Sequence, residues 1–219
     1  MINNRKNDMA VEREIAAFLD EKLYGNKELF KEYARTDEFD EQIAGSDIII
    51  TTADDKIVRS VVDEKVASRF ANTKLDTFSL ELSFISKSGK KRCGWLLDNT
   101  KKTEYYLFGW ILEADIPYLK ERKRFDTDKI RKDNIKTLEW VLVKRSDIIK
   151  FLESKGWTLE KLSKQDEIIR ERGEIRTKEF IDEISFRYSD AYIEKPINVL
   201  LKKDTYIKIS TLHGIIDAK

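Results

Sequence analysis

Two β-branched apolar segments joined by a short polar stretch constrain the fold of this chain more than any other feature. The first is Ile48-Ile49-Ile50, the second spans residues 58–67, and the stretch between them, residues 51–56, is rich in Asp and Thr. Because β-branched side chains favour strands and Asp favours turns, this pattern predicts a β-hairpin. Gly45 stands just ahead of the first arm and predicts that the chain enters it through a bend.

Three charged residues stand on the two arms. Asp47 heads the first arm, and Asp63 and Lys65 lie two residues apart in the second. Side chains two apart on a strand project to the same side, so we expect the Asp63 carboxylate beside the Lys65 ammonium, with Glu64 pointing the other way. Apolar neighbours indicate an enclosed strand, where charges persist mainly when paired or bound to metal. The alternative interpretations are a surface ion pair and, for Asp47, an ordinary turn residue.

Upstream of the hairpin, residues 9–24 carry an apolar stripe with the spacing of an amphipathic helix. The members of the stripe are Val11, Ile15, Phe18, Leu19 and Leu23. Glu12 falls within it, and a carboxylate on a buried stripe requires a partner. A metal ion and an ion pair with Lys22 are both open as that partner.

The rest of the chain predicts further strands and helices. Residues 78–84 alternate strictly between apolar and polar side chains, which predicts a strand with Glu81 on its polar face. Glu81 is a further candidate ligand if that face lines a cleft, and an exposed carboxylate otherwise. We also expect a strand at 104–112, a solvated helix or loop at 114–136, a strand at 138–144, helices starting near Ser146 and Thr158, and a final hairpin of 197–201 with 205–209.

The composition excludes several kinds of site. The 219 residues contain one cysteine, Cys93, and one histidine, His213, so multi-cysteine zinc clusters, His-rich sites and serine-type triads are excluded. A metal would therefore be held mostly by oxygen. The net charge of +1 gives no overall field to attract nucleic acid, which leaves local basic patches for that purpose. No apolar stretch has the length of a membrane span or of a secretory signal, and we expect a soluble cytoplasmic protein.

An acid, a gap and then acid-x-Lys along a hairpin resembles the PD-(D/E)XK nuclease superfamily, which includes restriction endonucleases, junction resolvases and repair nucleases. The resemblance covers roughly residues 9–113. It places the first acid at Asp47 and the second acid and lysine at Asp63 and Lys65. In that superfamily an acidic residue on the first helix often completes the site, and here this residue would be Glu12.

Two further positions bear on the resemblance. Gln42, five residues before Asp47, is taken to match a Gln-x(3,4)-Gly-x-Asp variant found in phage and bacterial members. Ser46 precedes the first acid where the superfamily's short name has proline, a departure that is common among its members. An ordinary strand residue is the alternative interpretation of Gln42.

The resemblance implies an α+β fold with a restriction-endonuclease-like core, in which an N-terminal helix packs on a mixed central sheet. We expect this core at residues 1–113. Residues 114–219 are expected to be an α/β C-terminal elaboration that packs on the core without being an independent domain, and that supplies substrate selection or a homodimer surface.

The function that these expectations imply is a Mg²⁺-dependent DNA endonuclease, with Mn²⁺ as an alternative cofactor. Asp47 and Asp63 would bind the metal, with Glu12 and Glu81 as further ligands. Lys65 would align or deprotonate the attacking water and counter transition-state charge. Two alternatives stay open: a catalytically inactive nucleic-acid-binding or protein-interaction module on the same fold, and an unrelated α+β domain whose acids lie far apart.

Overall fold

A computed structural model describes residues 4–36, 45–175 and 180–218. Its four α-helices are α1 (Asn4–Leu19), α2 (Arg145–Ser154), α3 (Leu159–Arg172) and α4 (Lys203–Ile209). Its strands are β1 (Phe30–Arg35), β2 (Ile48–Thr52), β3 (Ser60–Val66), β4 (Thr77–Ile85), β5 (Lys91–Cys93), β6 (Tyr105–Ala114), β7 (Tyr118–Leu119), β8 (Arg124–Phe125), β9 (Ile135–Lys144), β10 (Ile184–Tyr188), β11 (Ile197–Lys202) and β12 (Leu212–Asp217). The predicted α+β class is confirmed. None of the helices in these ranges has the length and apolarity needed to cross a membrane.

The chain forms two compact units, and each is discontinuous in sequence. The first comprises Met1–Leu75, Thr103–Leu142 and Thr211–Lys219, and the second Asp76–Lys102 and Val143–Ser210. The core at residues 1–113 and the elaboration at 114–219 that we expect from the sequence stay predictions. The units interleave because β4 and β5 lie in the connection between β3 and β6, and because most of the second unit lies between β9 and β12.

The first unit is built on a six-stranded mixed sheet with the order β1-β2-β3-β6-β9-β12. The predicted hairpin is present, because β2 and β3 are antiparallel with Ile48 opposite Val62. β3 and β6 run parallel, with Asp63 opposite Tyr106 and Lys65 opposite Phe108. The pairs β1–β2 and β9–β12 are antiparallel.

Helix α1 covers one face of this sheet, because its apolar stripe belongs to the same buried cluster as alternate residues of the strands. Val11, Ile15, Phe18 and Leu19 pack in that cluster with Ile48 and Ile50 of β2, Val62 of β3, Leu107 of β6 and Leu138, Trp140 and Leu142 of β9. The helix continues into a π-helical turn, Asp20–Tyr24, which buries Leu23 and Tyr24. Since Val62 faces this cluster, its neighbour Asp63 faces the opposite side of the sheet.

The second unit contains a four-stranded antiparallel sheet with the order β10-β11-β4-β5. Helix α3 begins at the side-chain cap of Thr158 and ends at Gly173, whose φ of +69° is one that glycine readily adopts. Its Asp166 is fully buried; it accepts a hydrogen bond from the Ser83 hydroxyl of β4 and forms an ion pair with Lys91 of β5 at 2.6 Å. These contacts tie α3 to the sheet of its own unit.

Two sequence-based expectations about elements differ from the structure. The expected final hairpin is wrong, because residues 205–209 lie in helix α4 and the partners of β11 are β4 and β10. Thr205 and Tyr206 are adjacent and both buried, which a helix end allows and a half-buried strand does not. The sequence also gives no sign of β1. Phe30 is the one fully buried residue of this strand, so its apolar and polar side chains do not alternate as they do in a half-buried strand.

Candidate functional site

Asp63 and Lys65 lie side by side on β3, on the face of the sheet opposite α1. Only 4% of the Asp63 surface is exposed, and the Lys65 ammonium donates a hydrogen bond to its Oδ1. Burial by itself lowers the pKa of Lys65, but the charges of Asp63 and then Asp47 outweigh it, so the pKa is raised. Lys65 is therefore an ammonium ion at neutral pH.

Asp47 lies against the peptide group that joins Asp63 to Glu64. Its Oδ2 accepts a hydrogen bond from the Glu64 backbone N–H at 2.7 Å, and its own N–H donates to the Val62 carbonyl at 3.0 Å. Burial and, after it, the negative charge of Asp63 together raise the pKa of Asp47 to about 7, although the charge of Lys65 opposes both. The two carboxylates are thus close enough to repel each other in a poorly hydrated place.

The segment before Asp47 holds it in this position through the backbone. Gly45 has a φ of +79°, the left-handed conformation that permits the bend predicted before the strand. Its carbonyl accepts a hydrogen bond from the Thr103 hydroxyl at 2.7 Å. Ser46, in the position of the superfamily's proline, is buried and its hydroxyl lies 3.0 Å from that of Thr36. These bonds fix the approach of the chain to Asp47.

Aromatic rings border the two charged residues of β3. Tyr106 and Phe108 stand opposite Asp63 and Lys65 on β6, so their side chains project to the same side of the sheet. Both rings are fully buried, and they stack on each other with centroids 5.7 Å apart. Apolar rings exclude water from the flank of the carboxylates, which strengthens every charge interaction there.

Glu12 approaches the same cluster from α1. It is exposed to solvent, unlike the stripe residues on either side of it along the helix. Desolvation raises the pKa of Glu12, the charge of Asp8 raises it further, and Lys65 and Arg69 lower it. Asp8 in turn pairs with Arg69, which follows β3, at 2.9 Å. The first half of α1 therefore lies near the C-terminal end of β3, and the charge of Glu12 reaches Lys65.

On the other face of β3, Glu64 belongs to an ion-pair network that the sequence did not reveal. Arg35 of β1 donates to both Glu64 oxygens, at 2.8 and 3.2 Å, and to Asp20 at 2.8 and 2.9 Å. A further bond from Arg35 reaches the Ala16 carbonyl on α1. The hydroxyl of Tyr24 is buried nearby, and its burial and the charge of Glu64 raise the Tyr24 pKa well above its usual value. This network anchors the residue whose N–H holds Asp47.

Glu81, Gln42 and His213 are the remaining residues that the sequence singles out. Glu81 is on β4 in the second unit, half-buried, and its role as a ligand stays a prediction. Gln42 lies outside the described residues, and only two residues separate it from Gly45, one fewer than the variant motif requires. His213 of β12 lies 3.3 Å from Glu139 of β9, a contact between neighbouring strands.

The donor set suits a hard divalent cation better than a soft one. In the described ranges no three Asp, Glu, His or Cys side chains are grouped as a metal site would group them. Mg²⁺ retains several waters and commonly takes only one or two carboxylates from the protein, which Asp47 and Asp63 provide. Their mutual repulsion is the observation that favours a cation, because a divalent charge between them would relieve it.

Comparisons with protein-family models, with characterised proteins and with solved structures gave no match to this chain. The interpretation of the site therefore rests on its residues and their geometry. What these residues bring together is two carboxylates, one ammonium and an aromatic wall, at the start of β2 and on β3 and β6. Two carboxylates with a single ammonium are suited to bind a cation, and an anionic substrate would require that cation.

Proposed function

We propose that this protein is a Mg²⁺-dependent phosphodiester hydrolase of nucleic acid, a DNA endonuclease that acts in the cytoplasm. Its first unit would be the restriction-endonuclease-like core that the resemblance implies. The observation that carries the proposal is the position of the half-buried Asp47, which the Glu64 N–H holds beside the Asp63–Lys65 ion pair, where burial and the charge of Asp63 raise its pKa. Charged groups retained in this way are typical of sites that work on charged ligands.

Each residue has a role that follows from its surroundings. Asp47 and Asp63 would hold the cation, and the Glu64 N–H orients the Asp47 carboxylate for it. A bound Mg²⁺ supplies an acidified water and neutralises charge on the phosphate. Lys65 is already protonated, so it cannot remove a proton from the water. Its raised pKa supports the other expected role, in which the ammonium orients the water and counters transition-state charge.

Lys65 also explains how the site persists before a cation binds. Its ammonium pairs with Asp63 and lowers the repulsion between that carboxylate and Asp47. A divalent cation would bring twice the charge to the same oxygens, and the Lys65 ammonium could then interact with the substrate phosphate. Glu12, an exposed carboxylate whose charge reaches Lys65, would be a further ligand or would bind a water of the cation.

Cleavage of supercoiled plasmid tests the proposal. We expect nicking with Mg²⁺, none with EDTA, and a loss of at least about a hundredfold in Asp63→Asn and Lys65→Met. Asp55→Asn is the matched control, because Asp55 is an exposed acid in the turn of the same hairpin, paired with Lys31. Equal nicking by all four proteins would assign the cleavage to other residues or to a contaminant.

The inactive binding module is the second candidate, and the close Lys65–Asp63 pair is the observation that favours it. This pair neutralises one carboxylate without any metal. Titration with Mn²⁺, followed by electron paramagnetic resonance, separates the two candidates. Binding that is lost in Asp47→Asn supports the hydrolase, whereas absence of binding with retained DNA affinity in a gel-shift assay supports the module.

A further inference from the structure

The two edges of the six-stranded sheet differ in how they are protected. At one edge, β1 carries Lys31, Glu32 and Arg35, and its pairing with β2 is interrupted by a bulge between Phe30 and Glu32. Charged side chains and bulges are the devices by which proteins prevent an edge strand from pairing with another chain. The edge at β1 is therefore guarded.

At the other edge, β12 has no bulge, and its acidic residue, Asp217, stands at its last position. Its sequence, Leu-His-Gly-Ile-Ile-Asp, contains no lysine, arginine or proline, and its pairing with β9 is regular from Leu212 to Asp217. Within the described ranges, no strand pairs with its outer side. Gly214 allows it to lie close to β9, because a Cβ there would come within 3.1 Å of the Trp140 ring. β12 is thus a regular strand with an open edge.

The hydrogen bonds of β12 show which of its backbone groups face outward. The Ala218 N–H donates to the Lys136 carbonyl at 2.8 Å. Lys136 is the residue opposite Ala218 when the pairing of Asp217 with Thr137 is continued by one residue. In an antiparallel pair the direction of the backbone groups alternates from residue to residue. The even-numbered residues therefore bond to β9, and the N–H and C=O groups of His213, Ile215 and Asp217 point to the open edge.

The same three residues carry the exposed side chains of the strand. Leu212, Gly214 and Ile216 are half-buried towards the α1 core, whereas His213, Ile215 and Asp217 are exposed on the other face. Ile215 is 60% exposed, among the large apolar residues that the structure leaves open to water. The edge thus presents a basic, an apolar and an acidic residue in that order, and this order complements itself when a second strand runs antiparallel to the first.

We propose that β12 pairs with β12 of a second copy of this chain, antiparallel and centred on Ile215. A twofold axis then places Ile215 opposite Ile215, and His213 of each copy opposite Asp217 of the other. Each of the three pairs joins residues whose backbone groups face outward, so each exchanges two hydrogen bonds, about six in all. Apolar cross-strand pairs stabilise a sheet, and so does a pair of His213 with Asp217, in which the imidazole that lies 3.3 Å from Glu139 of its own chain also faces a second carboxylate.

The register is specified by the side chains. A slip of two residues keeps the backbone bonds but places His213 opposite Ile215, or Ile215 opposite Asp217, and so loses both kinds of favourable pair. A slip of one residue places the outward-facing N–H and C=O groups of one copy opposite residues of the other copy whose own N–H and C=O groups already bond to β9. Self-complementarity about a single residue is what a twofold interface requires, and it favours a second copy over an unrelated strand. This inference does not depend on the proposed function.

Sedimentation equilibrium over a concentration series tests for the dimer. We expect a monomer–dimer equilibrium in the wild type and at least about a tenfold higher dissociation constant in Ile215→Lys, which places two ammonium groups at the axis. Val58→Lys is the matched control, since Val58 is 58% exposed in the same unit. A wild type that stays monomeric at about 100 μM, or equal weakening by both variants, would overturn the proposal.

Cysteine cross-linking tests the register in a Cys93→Ser background. Facing residues of a bonded pair have Cα atoms about 5.5 Å apart, within disulfide range. We expect Ile215→Cys to oxidise to a covalent dimer, and neither His213→Cys nor Asp217→Cys to do so alone. An equimolar mixture of these last two should yield the mixed dimer. Cross-linking of all three variants alone, or of none in any combination, refutes the pairing.

Discussion

Replacement of Asp47 by asparagine should stabilise the protein in the absence of a divalent cation. The pKa of Asp47 is raised from 3.8 to about 7, so the folded state binds a proton that the unfolded state has lost between these pH values. Wild-type stability therefore falls as pH rises from about 4 to about 7 and changes no further through this group above that range. A difference of about three pH units corresponds to about 4 kcal/mol at most, and we expect about 2 to 4 kcal/mol because the site is only partly buried.

The substitution is chosen to remove the charge and little else. The side-chain carbonyl of asparagine can still accept a hydrogen bond from the Glu64 N–H, in place of the bond of 2.7 Å that Asp47 accepts. Urea denaturation of both proteins from pH 4 to pH 9 gives the difference in unfolding free energy at each pH. We expect that difference to be near zero at pH 4 and to reach its plateau above pH 7. Asp55→Asn, which removes an exposed acid from the same hairpin, should show no such rise.

A divalent cation should reverse the order of stability. A ligand that binds only the folded state stabilises it by about 2.7 kcal/mol at a hundred times its dissociation constant. With Mg²⁺ the wild type should gain stability and Asp47→Asn should gain little. If Asp47→Asn lowers stability by the same amount at pH 4 and pH 8, then the carboxylate is not under electrostatic strain and the reasoning about the site is wrong.

Two further predictions concern the framework of the first unit. Arg35→Ala should lower the unfolding free energy by about 3 to 5 kcal/mol, because it leaves the nearly buried Glu64 carboxylate unpaired; Lys31→Ala, which removes an exposed ion pair, should cost less than about 1 kcal/mol in the same denaturation assay. Gly214→Val should lower the melting temperature, because its side chain would overlap the Trp140 ring, at a cost of about 1 to 3 kcal/mol. Unchanged melting of Gly214→Val would show that β12 shifts freely on β9.

Elements with a strong local signal could be predicted from the sequence. The apolar stripe of α1 repeats at the spacing of a helix, and the two arms of the hairpin are indicated by their β-branched side chains and the polar turn between them. The adjacency of Asp63 and Lys65 follows from strand geometry alone. Local chemistry thus determined the part of the candidate site that lies on a single strand.

Features that depend on distant segments could not be predicted. Arg35 reaches Glu64 only because β1 pairs with β2, and nothing in the β1 sequence indicates a strand. Helix α4 was mistaken for a strand because its apolar residues fit either period over so short a length. The interleaved units reflect which strands pair across the chain, and pairing partners leave no mark on the pattern of either strand.

The positions of the strands along the chain determine when each sheet can be completed during synthesis. The closing strand, β12, follows every segment of the second unit along the chain. β4 must likewise wait for β11, since the pair joins residues 77–85 to residues 197–202. During translation the first unit therefore cannot complete its sheet before the second has been made, and the second cannot complete its sheet until all but the last strand of the first has been made. The nascent chain carries unfinished strand edges until nearly all of these residues are made. Such a chain is expected to fold late and as a whole, and to depend on holding chaperones for longer than two successive domains of the same size would.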